Sequence, residues 1–507
     1  MSQIKNYKDK TYWRSLDEKM GSDDIKSFLI KEFPEGTVEL AETMTRKKFL
    51  TLMGASMAMA GLVGCRKPVQ KLIPYVDAPE DVIPGIPNYY STTIPIGLNA
   101  YGAIVESHVG RPTHIEGNKD HPQSKGSVNS FMQASILDLY DPDRLKEPLL
   151  LNQISNLKEL SKSIKSIDKD KGKTAFITKT INSPSTIELI NKLKESFTGS
   201  EWVSFDLDSK ENQISGLKEL TGKEIVPFYR FDKANVILSI ESDFLSADQT
   251  SIHNQKTFSK SRRVKTNSDS MNRLYCIESN LTSTGMMADH RFKINPNLVH
   301  NFLAELNNEL IKLGLYNLQS IDITNSSFDD KYKKVIKVLA SDLIKNKSKS
   351  VITIGDYLPD HAHSLVYILN QELGNNNNTI KYASVQESLK PELKSTLKLI
   401  DKINNKEIDN LFILDMDFVH LFSHMLKDQL SNLVSNIYYL GTHKDLTSDQ
   451  STWSIPISHY LESWGDARSI DGTLSIIQPL IRPLYNSISI NEFLSIMLGE
   501  SKTDYKI

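Results

Sequence analysis

Cysteine is nearly absent: two occur in 507 residues, Cys65 and Cys276. Without a CxxC pair the chain lacks the four-ligand set of an ordinary iron–sulfur cluster or structural zinc site, and it has no disulfide framework. Charge of one sign is lacking too. The 60 basic and 62 acidic side chains are mixed along the chain and leave a formal net charge of −2. That gives no basic face for phosphates and no acidic tail, which argues against nucleic acid as a partner. No GxGxxG or GxxxxGK[ST] follows a strand candidate, so the phosphate-cradling loops of dinucleotide and P-loop folds are missing. No apolar run reaches the roughly 20 residues that cross a bilayer.

What remains is ordinary globular composition, 39% hydrophobic and 24% charged, on a chain long enough for two or three domains. Residues 1–44 are polar. Thr45-Arg46-Lys47-Lys48-Phe49-Leu50 then opens an apolar run to Val63, a charged n-region followed by an h-region. The order is similar to the twin-arginine export signal, with Arg46, Lys47, Phe49 and Leu50 at its characteristic positions and Lys47 where a second arginine is usual. Gly54, Ser56 and Gly61 interrupt the run, so it reads as a signal rather than a permanent membrane helix. Leu62-Val63-Gly64-Cys65 resembles a lipobox, in which the cysteine is acylated. Several acyl chains anchor stably where one is marginal, each buried CH₂ contributing ~0.8 kcal/mol. The expected location is the periplasmic face of the bacterial inner membrane.

Five prolines between Pro68 and Pro87 exclude long helices and predict an extended strap. Residues 89–115 alternate as strands do, and Gly110-Arg111-Pro112 reads as the turn of a β-hairpin. From about 173 the pattern changes to strands at 174–178, 202–206, 235–240, 272–278, 350–355, 379–384, 411–414 and 437–440, with amphipathic helices at 185–196, 298–313, 333–345 and 362–373. Apolar strands separated by helices predict an α/β fold of two layers of largely parallel sheet, covered on both faces. The predicted divisions are a leader at 1–64, a strap and small N-terminal β-rich domain at 65–150, and α/β domains at 151–330 and 331–507.

Several segments carry a family resemblance. Gly110-Arg111-Pro112-Thr113-His114-Ile115-Glu116-Gly117-Asn118, with His121-Pro122 and Gly126, is similar to the N-terminal signature of the molybdopterin oxidoreductases. Tyr140-Asp141-Pro142-Asp143-Arg144-Leu145, the stretch from Glu278 to Arg291, Glu462-Ser463-Trp464-Gly465 and Gln478-Pro479-Leu480-Ile481-Arg482-Pro483 resemble later blocks of that family, in its order. One branch fits further: the B subunit of bacterial alternative complex III, a quinol-oxidising membrane complex. Its members share Tyr12-Trp13-Arg14-Ser15-Leu16, Phe33-Pro34-Glu35-Gly36, the variant export signal, the lipobox-like Cys65 and Pro74-Tyr75. The resemblance implies a molybdopterin-type fold that has lost its molybdenum cofactor. It also implies iron–sulfur clusters carried on a further C-terminal part or on a partner chain, and haem and iron–sulfur proteins as partners.

The chain's own candidates read as structural. Cys276 lies in the apolar stretch Leu274-Tyr275-Cys276-Ile277, where a small buried hydrophobe is expected. His361 and His363 are expected to be solvated or capping, because positions i and i+2 of a helix point apart. His108, His114 and His121 belong to the hairpin signature. Asp415 and Asp417 follow a strand, where an α/β site lies, yet bring no base or ligand set. Turn chemistry or a subunit contact is expected around Trp464-Gly465-Asp466-Ala467-Arg468. No catalytic, cofactor-binding or metal residue is assigned. The expected function is a cofactor-free scaffold in a membrane quinol:electron-acceptor oxidoreductase. The alternatives are an active periplasmic molybdenum bis-pterin subunit and a free periplasmic binding lipoprotein.

Overall fold

The computed structural model describes residues 82–507, apart from 168, 170–172, 267–268, 323–329 and 501, and a short ribbon of β1 (Lys5–Asn6) and β2 (Lys10–Thr11). The export-signal residues Arg46, Lys47, Phe49 and Leu50, the lipobox Cys65 and the motifs at 12–16, 33–36 and 74–75 lie outside the described residues. The chain divides into Met1–Glu80 and Asp81–Ile507, and the second unit is the one described below.

It opens with an antiparallel meander of β3 (Asn88–Ile96), β4 (Asn99–His108) and β5 (Arg111–Gly117). The predicted turn moves by one residue. Val109 and Gly110 both hold positive φ, 53° and 75°, the two-residue I′ geometry that matches strand twist, and Arg111 and Pro112 already belong to β5. Helix α1 (Ser130–Leu139), capped by Asn129, closes one face with Met132, Ile136 and Leu139 against Tyr101, Val105 and Ile115.

The chain then builds two largely parallel sheets in alternation, the larger carrying β6 and β7 antiparallel at one edge. Two short strands, β6 (Leu149–Leu150) and β7 (Gln153–Ile154), and helix α2 (Leu157–Lys165) lead into β8 (Thr174–Thr178), α3 (Pro184–Ser196), β9 (Glu201–Ser204) and α4 (Glu211–Thr221). After β10 (Ile225–Tyr229) come β11 (Val236–Ile240), α5 (Ser251–Lys260), β12 (Arg273–Glu278), α6 (Ser283–Met286), β13 (His290–Lys293), α7 (Val299–Lys312), α8 (Asp330–Lys345), β14 (Ser350–Ile354) and α9 (Asp360–Glu372). The remainder holds β15 (Ile380–Ser384), α10 (Leu393–Asn404), β16 (Asn410–Leu414), α11 (Phe418–Phe422), β17 (Asn436–Gly441), α12 (Leu446–Asp449), β18 (Trp453–Pro456), a ribbon of β19 (Gly465–Arg468) and β20 (Leu474–Ile477), and α13 (Ile490–Met497).

The larger sheet runs β7-β6-β18-β17-β16-β8-β9 and the smaller β13-β12-β11-β14. The two therefore interleave along the chain: β11 to β14 are inserted between β9 and β16. A boundary at residue 330 does not separate them, because β14 at 350–354 pairs with β11. Periodicity identifies a strand but not its partner. For the same reason β15, predicted within a parallel sheet, instead forms an antiparallel ribbon with β10.

Strands β8, β11, β14 and β16 are buried at every position, as parallel strands covered on both faces must be. Alternate residues divide between two cores. Phe176 and Phe412 join Leu193, Phe197 and Phe493 on one side, while Ala175, Ile177, Leu411 and Ile413 meet Leu399, Ile403 and Phe418 on the other. On the first side Trp202, Phe176, Phe412 and Tyr438 stack across four neighbouring strands, with successive ring centroids 3.9, 4.7 and 4.6 Å apart. Such pairs contribute about 0.5–1.5 kcal/mol each beyond area burial. No helix among the described residues is long and apolar enough to cross a membrane.

Candidate functional site at the strand ends

In an open α/β sheet, ligands bind where successive strands depart in opposite directions. In the larger sheet β9 lies on one side of β8 and β16 on the other, so the switch point is between β8 and β16. In the smaller sheet it lies between β11 and β14.

The first switch point is flanked by Lys179, following β8, and Asp415, following β16 and held at φ 56°. They pair at 3.1 Å. The Asp415 charge, opposed by burial, lifts the Lys179 pKa above its ordinary value. Asp206, following β9, accepts a 2.8 Å bond from the Thr180 amide, and burial pushes its carboxyl upward. A cleft of about 300 Å³ opens here, bordered by Lys179, Phe205, Asp206, Asp208, Gln249 and Met416, with Ile96 and Gly97 of the β3–β4 turn across it.

At the second switch point the backbones touch. A Cβ on Gly355 would lie 2.1 Å from the Glu241 carbonyl oxygen. Beside it Asp356 meets Lys210, the residue preceding α4, at 2.8 Å, and Asp248 stands 3.4 Å from the same ammonium. Burial opposes the charge on Lys210, but the two carboxylates outweigh it and raise its pKa above the usual lysine value. Asp248 is held below the usual carboxylate range: burial acts upward, while Lys210 and the amide and hydroxyl of Thr250, both at 2.6 Å, outweigh it. Burial moves Asp356 the other way, upward, because one lysine serves two acids. Gln249 extends the knot by accepting from the Leu98 amide at 3.1 Å and donating to the Asp208 carbonyl at 2.8 Å. Ion pair and amide together tie the ends of both sheets to the β3–β4 turn.

The helix after β8 is where a doubly wound fold receives a pyrophosphate. At the start of α3 the Asp466 carboxylate already accepts from the Ser183 hydroxyl, the Ser185 hydroxyl at 2.6 Å and the Ser185 amide at 3.3 Å. Asp417 likewise caps α11 through the His420 amide at 3.2 Å, and Asp445 caps α12 through the Ser448 amide at 2.9 Å.

Two blocks quoted from the sequence meet elsewhere, beside the residue that follows a third. Arg144 and Glu462 pair at 2.7 Å with both side chains buried, and Glu462 also accepts from the amides of His459 and Leu484 at 2.8 and 2.9 Å. Burial alone would raise the Glu462 carboxyl, but the Arg144 guanidinium and these donors hold it below its ordinary value.

The remaining candidates separate. Cys276 is fully buried in β12, and burial, with the nearby Glu278 charge, pushes its thiol upward. His361 is exposed, but His363 is 2% exposed, correcting the expectation that both are solvated or capping. It falls on the core face of α9, which opens two residues earlier than predicted. His108 pairs with Glu106 at 2.8 Å, His121 bonds the Ser475 hydroxyl at 3.0 Å, and His114 is exposed. Trp464 packs edge-on against Tyr505 and Arg468 pairs with Glu387. Among the described residues no three His, Cys, Asp or Glu side chains converge to hold a metal. The sequence reading missed Lys210, Asp248 and Asp356. Their only signal is position just beyond a strand or before a helix.

No family model matches the chain. Over 242 residues it is 29% identical to the menaquinone reductase, molybdopterin-binding-like subunit, of Nitratidesulfovibrio vulgaris, a match covering 46% of this chain and 34% of that one. The chain thus spans about a third of the length of this curated relative. Acetylene hydratase from Pelobacter acetylenicus superposes with a TM-score of 0.59 at 13% identity, over 80% of this chain and 69% of the hydratase. The fold is that of a molybdopterin oxidoreductase. The interleaved sheets are its two α/β layers, and the Arg144–Glu462 pair joins blocks that carried the resemblance.

The helix end that a doubly wound fold offers to a pyrophosphate is already taken by the chain's own groups. A pyrophosphate at α3 would face Asp466 rather than free N–H groups, and the backbones close the second switch point. The cleft at the first switch point, about 300 Å³, and a second beside the start of α3, about 260 Å³ and lined by Asn182, Pro184 and Arg468, both lie near the lower end of the volume that one drug-sized ligand occupies.

Proposed function

We propose that this chain is a cofactor-free structural subunit of a membrane-bound, quinone-linked respiratory oxidoreductase of the alternative complex III type. The observation that carries the reading is the buried Lys210–Asp248–Asp356 knot, which fills the join between the two sheets with the chain's own charges. The relative named as a menaquinone reductase subunit supports the respiratory setting. In this reading the chain holds neighbouring iron–sulfur and haem proteins in register for electron transfer, and those partners carry the redox centres. Acylated Cys65 anchors it to the periplasmic face of the inner membrane after export through the signal built on Arg46, Lys47, Phe49 and Leu50.

The test is gentle detergent extraction of the natively expressed chain, identification of co-purifying subunits, and intact mass of the N-terminal peptide. Haem and iron–sulfur partners with an acylated Cys65 support the reading. A monomer free of redox partners, carrying an unmodified thiol, contradicts it.

A further inference from the structure

Helices α4 and α9 cross at close range. A Cβ on Gly216 would lie 2.2 Å from the Asp360 carbonyl oxygen, and the Ser364 hydroxyl donates to the Gly216 carbonyl at 2.9 Å. Within one turn of this contact the seam opens into a cavity of about 20 Å³, lined by Gln213, Leu217, Tyr229, His363, Asn370 and Tyr382 among others. Gln213 and His363 are 3% and 2% exposed. Two of their atoms, Gln213 Oε1 and His363 Nε2, are buried without a hydrogen-bonding partner in the protein.

Both atoms are acceptors. The backbone groups of Asp356 and Leu358 favour a proton on the His363 ring; with that proton on Nδ1, the lone pair is left on Nε2. Burial, reinforced by the Lys210 charge, lowers the His363 pKa to about 4, so the ring is neutral at neutral pH. Tyr229 and Tyr367 also line the cavity, and two of its other polar groups are engaged. Asn370 bonds both the amide and the carbonyl of Ile352, at 3.0 and 2.9 Å, and the Tyr382 hydroxyl donates to Asn376 at 3.2 Å.

Two orphaned acceptors facing one cavity call for a small molecule that donates twice. We infer that the cavity holds one ordered water, donating one proton to His363 Nε2 and the other to Gln213 Oε1. The space suffices, since a water needs about 10–15 Å³ and two to four polar partners. It excludes any organic ligand. Ammonium is disfavoured because the lining offers no carboxylate and the Lys210 charge acts on His363. The water adds a neutral bridge between the segments that Lys210 and Asp356 already join ionically, and so fixes the first turn of α4 against α9. This inference does not depend on the proposed function.

The test is a high-resolution crystal structure of the full chain, with a double-mutant cycle on thermal unfolding. The expected map has an isolated peak within hydrogen-bonding distance of both atoms. In the cycle, Gln213→Leu and His363→Phe each lower stability by orphaning the other acceptor, and the double variant is no less stable than the weaker single one. A map without that peak, or one in which the Gln213 amide is turned so that its nitrogen donates directly to His363, overturns the inference. Additive losses overturn it as well. Should the variants fail to fold, the wild-type map alone decides.

Discussion

Lys210 and Asp356 are 146 positions apart in sequence and meet at 2.8 Å, joining the loop after the edge strand of the larger sheet to the switch point of the smaller one. Because Asp248 shares the ammonium and all three side chains are largely buried, removing the cation strands two carboxylates away from water. Lys210→Met is expected to cost about 3–5 kcal/mol in denaturant unfolding. Adding Asp248→Asn and Asp356→Asn to it should recover part of that loss, since the stranded charges are then gone.

The Arg144–Glu462 pair sets an acid limb on stability. Glu462 has its folded pKa lowered below the ordinary 4.5, so its contribution is full above that value and is lost as pH falls through the folded pKa. Glu462→Gln should lower stability at pH 7 and flatten the fall below 4.5. An unchanged acid limb in this variant would show that the pair does not supply it.

Buried histidines act at higher pH. Burial depresses His253 and His363 to about 4 from 6.5. Between those values the unfolded chain binds protons that the folded chain does not, so stability rises with pH from about 4 to 6.5 and levels off above. Denaturant midpoints taken across this window should climb, and His253→Phe should reduce the slope.

Gly216 is predicted to resist enlargement. With the Asp360 carbonyl 2.2 Å from the added Cβ, Gly216→Ala must push α4 and α9 apart, at about 1–3 kcal/mol. Gly222, which ends α4 at φ 69° with open space around it, provides the contrast. There the cost comes from backbone strain, and α4–α9 packing should survive, as hydrogen exchange in α9 would report.

At the start of α3, Asp466→Ala removes the carboxylate that caps the first turn. The expected loss is about 0.5–2 kcal/mol, measured by thermal unfolding.

The α/β class, the parallel layers and most long elements are legible in the sequence, because buried parallel strands such as 411–414 and 437–440 are short continuous apolar runs. Helix α5 is not: its buried face is Ser251, His253, Asn254 and Thr257 beside Ile252 and Phe258, and no hydrophobic stripe marks it. Strand pairing is equally silent, which is why the interleaving of the sheets and the β10–β15 ribbon emerge only in three dimensions. The site follows the same rule. Asp415 could be placed at a strand end from its position, whereas Lys210, Asp248 and Asp356 are ordinary loop charges until the fold brings them together.

The central claim of the proposed function is that the chain's own side chains occupy the join between the two sheets and that the chain carries no cofactor there. Molybdenum and iron content per chain, measured on the natively expressed complex extracted from membranes, tests it most directly. The account predicts iron from co-purifying haem and iron–sulfur subunits and no molybdenum. Molybdenum near one per chain would contradict it and would mean that the Lys210–Asp248–Asp356 knot opens to admit the cofactor.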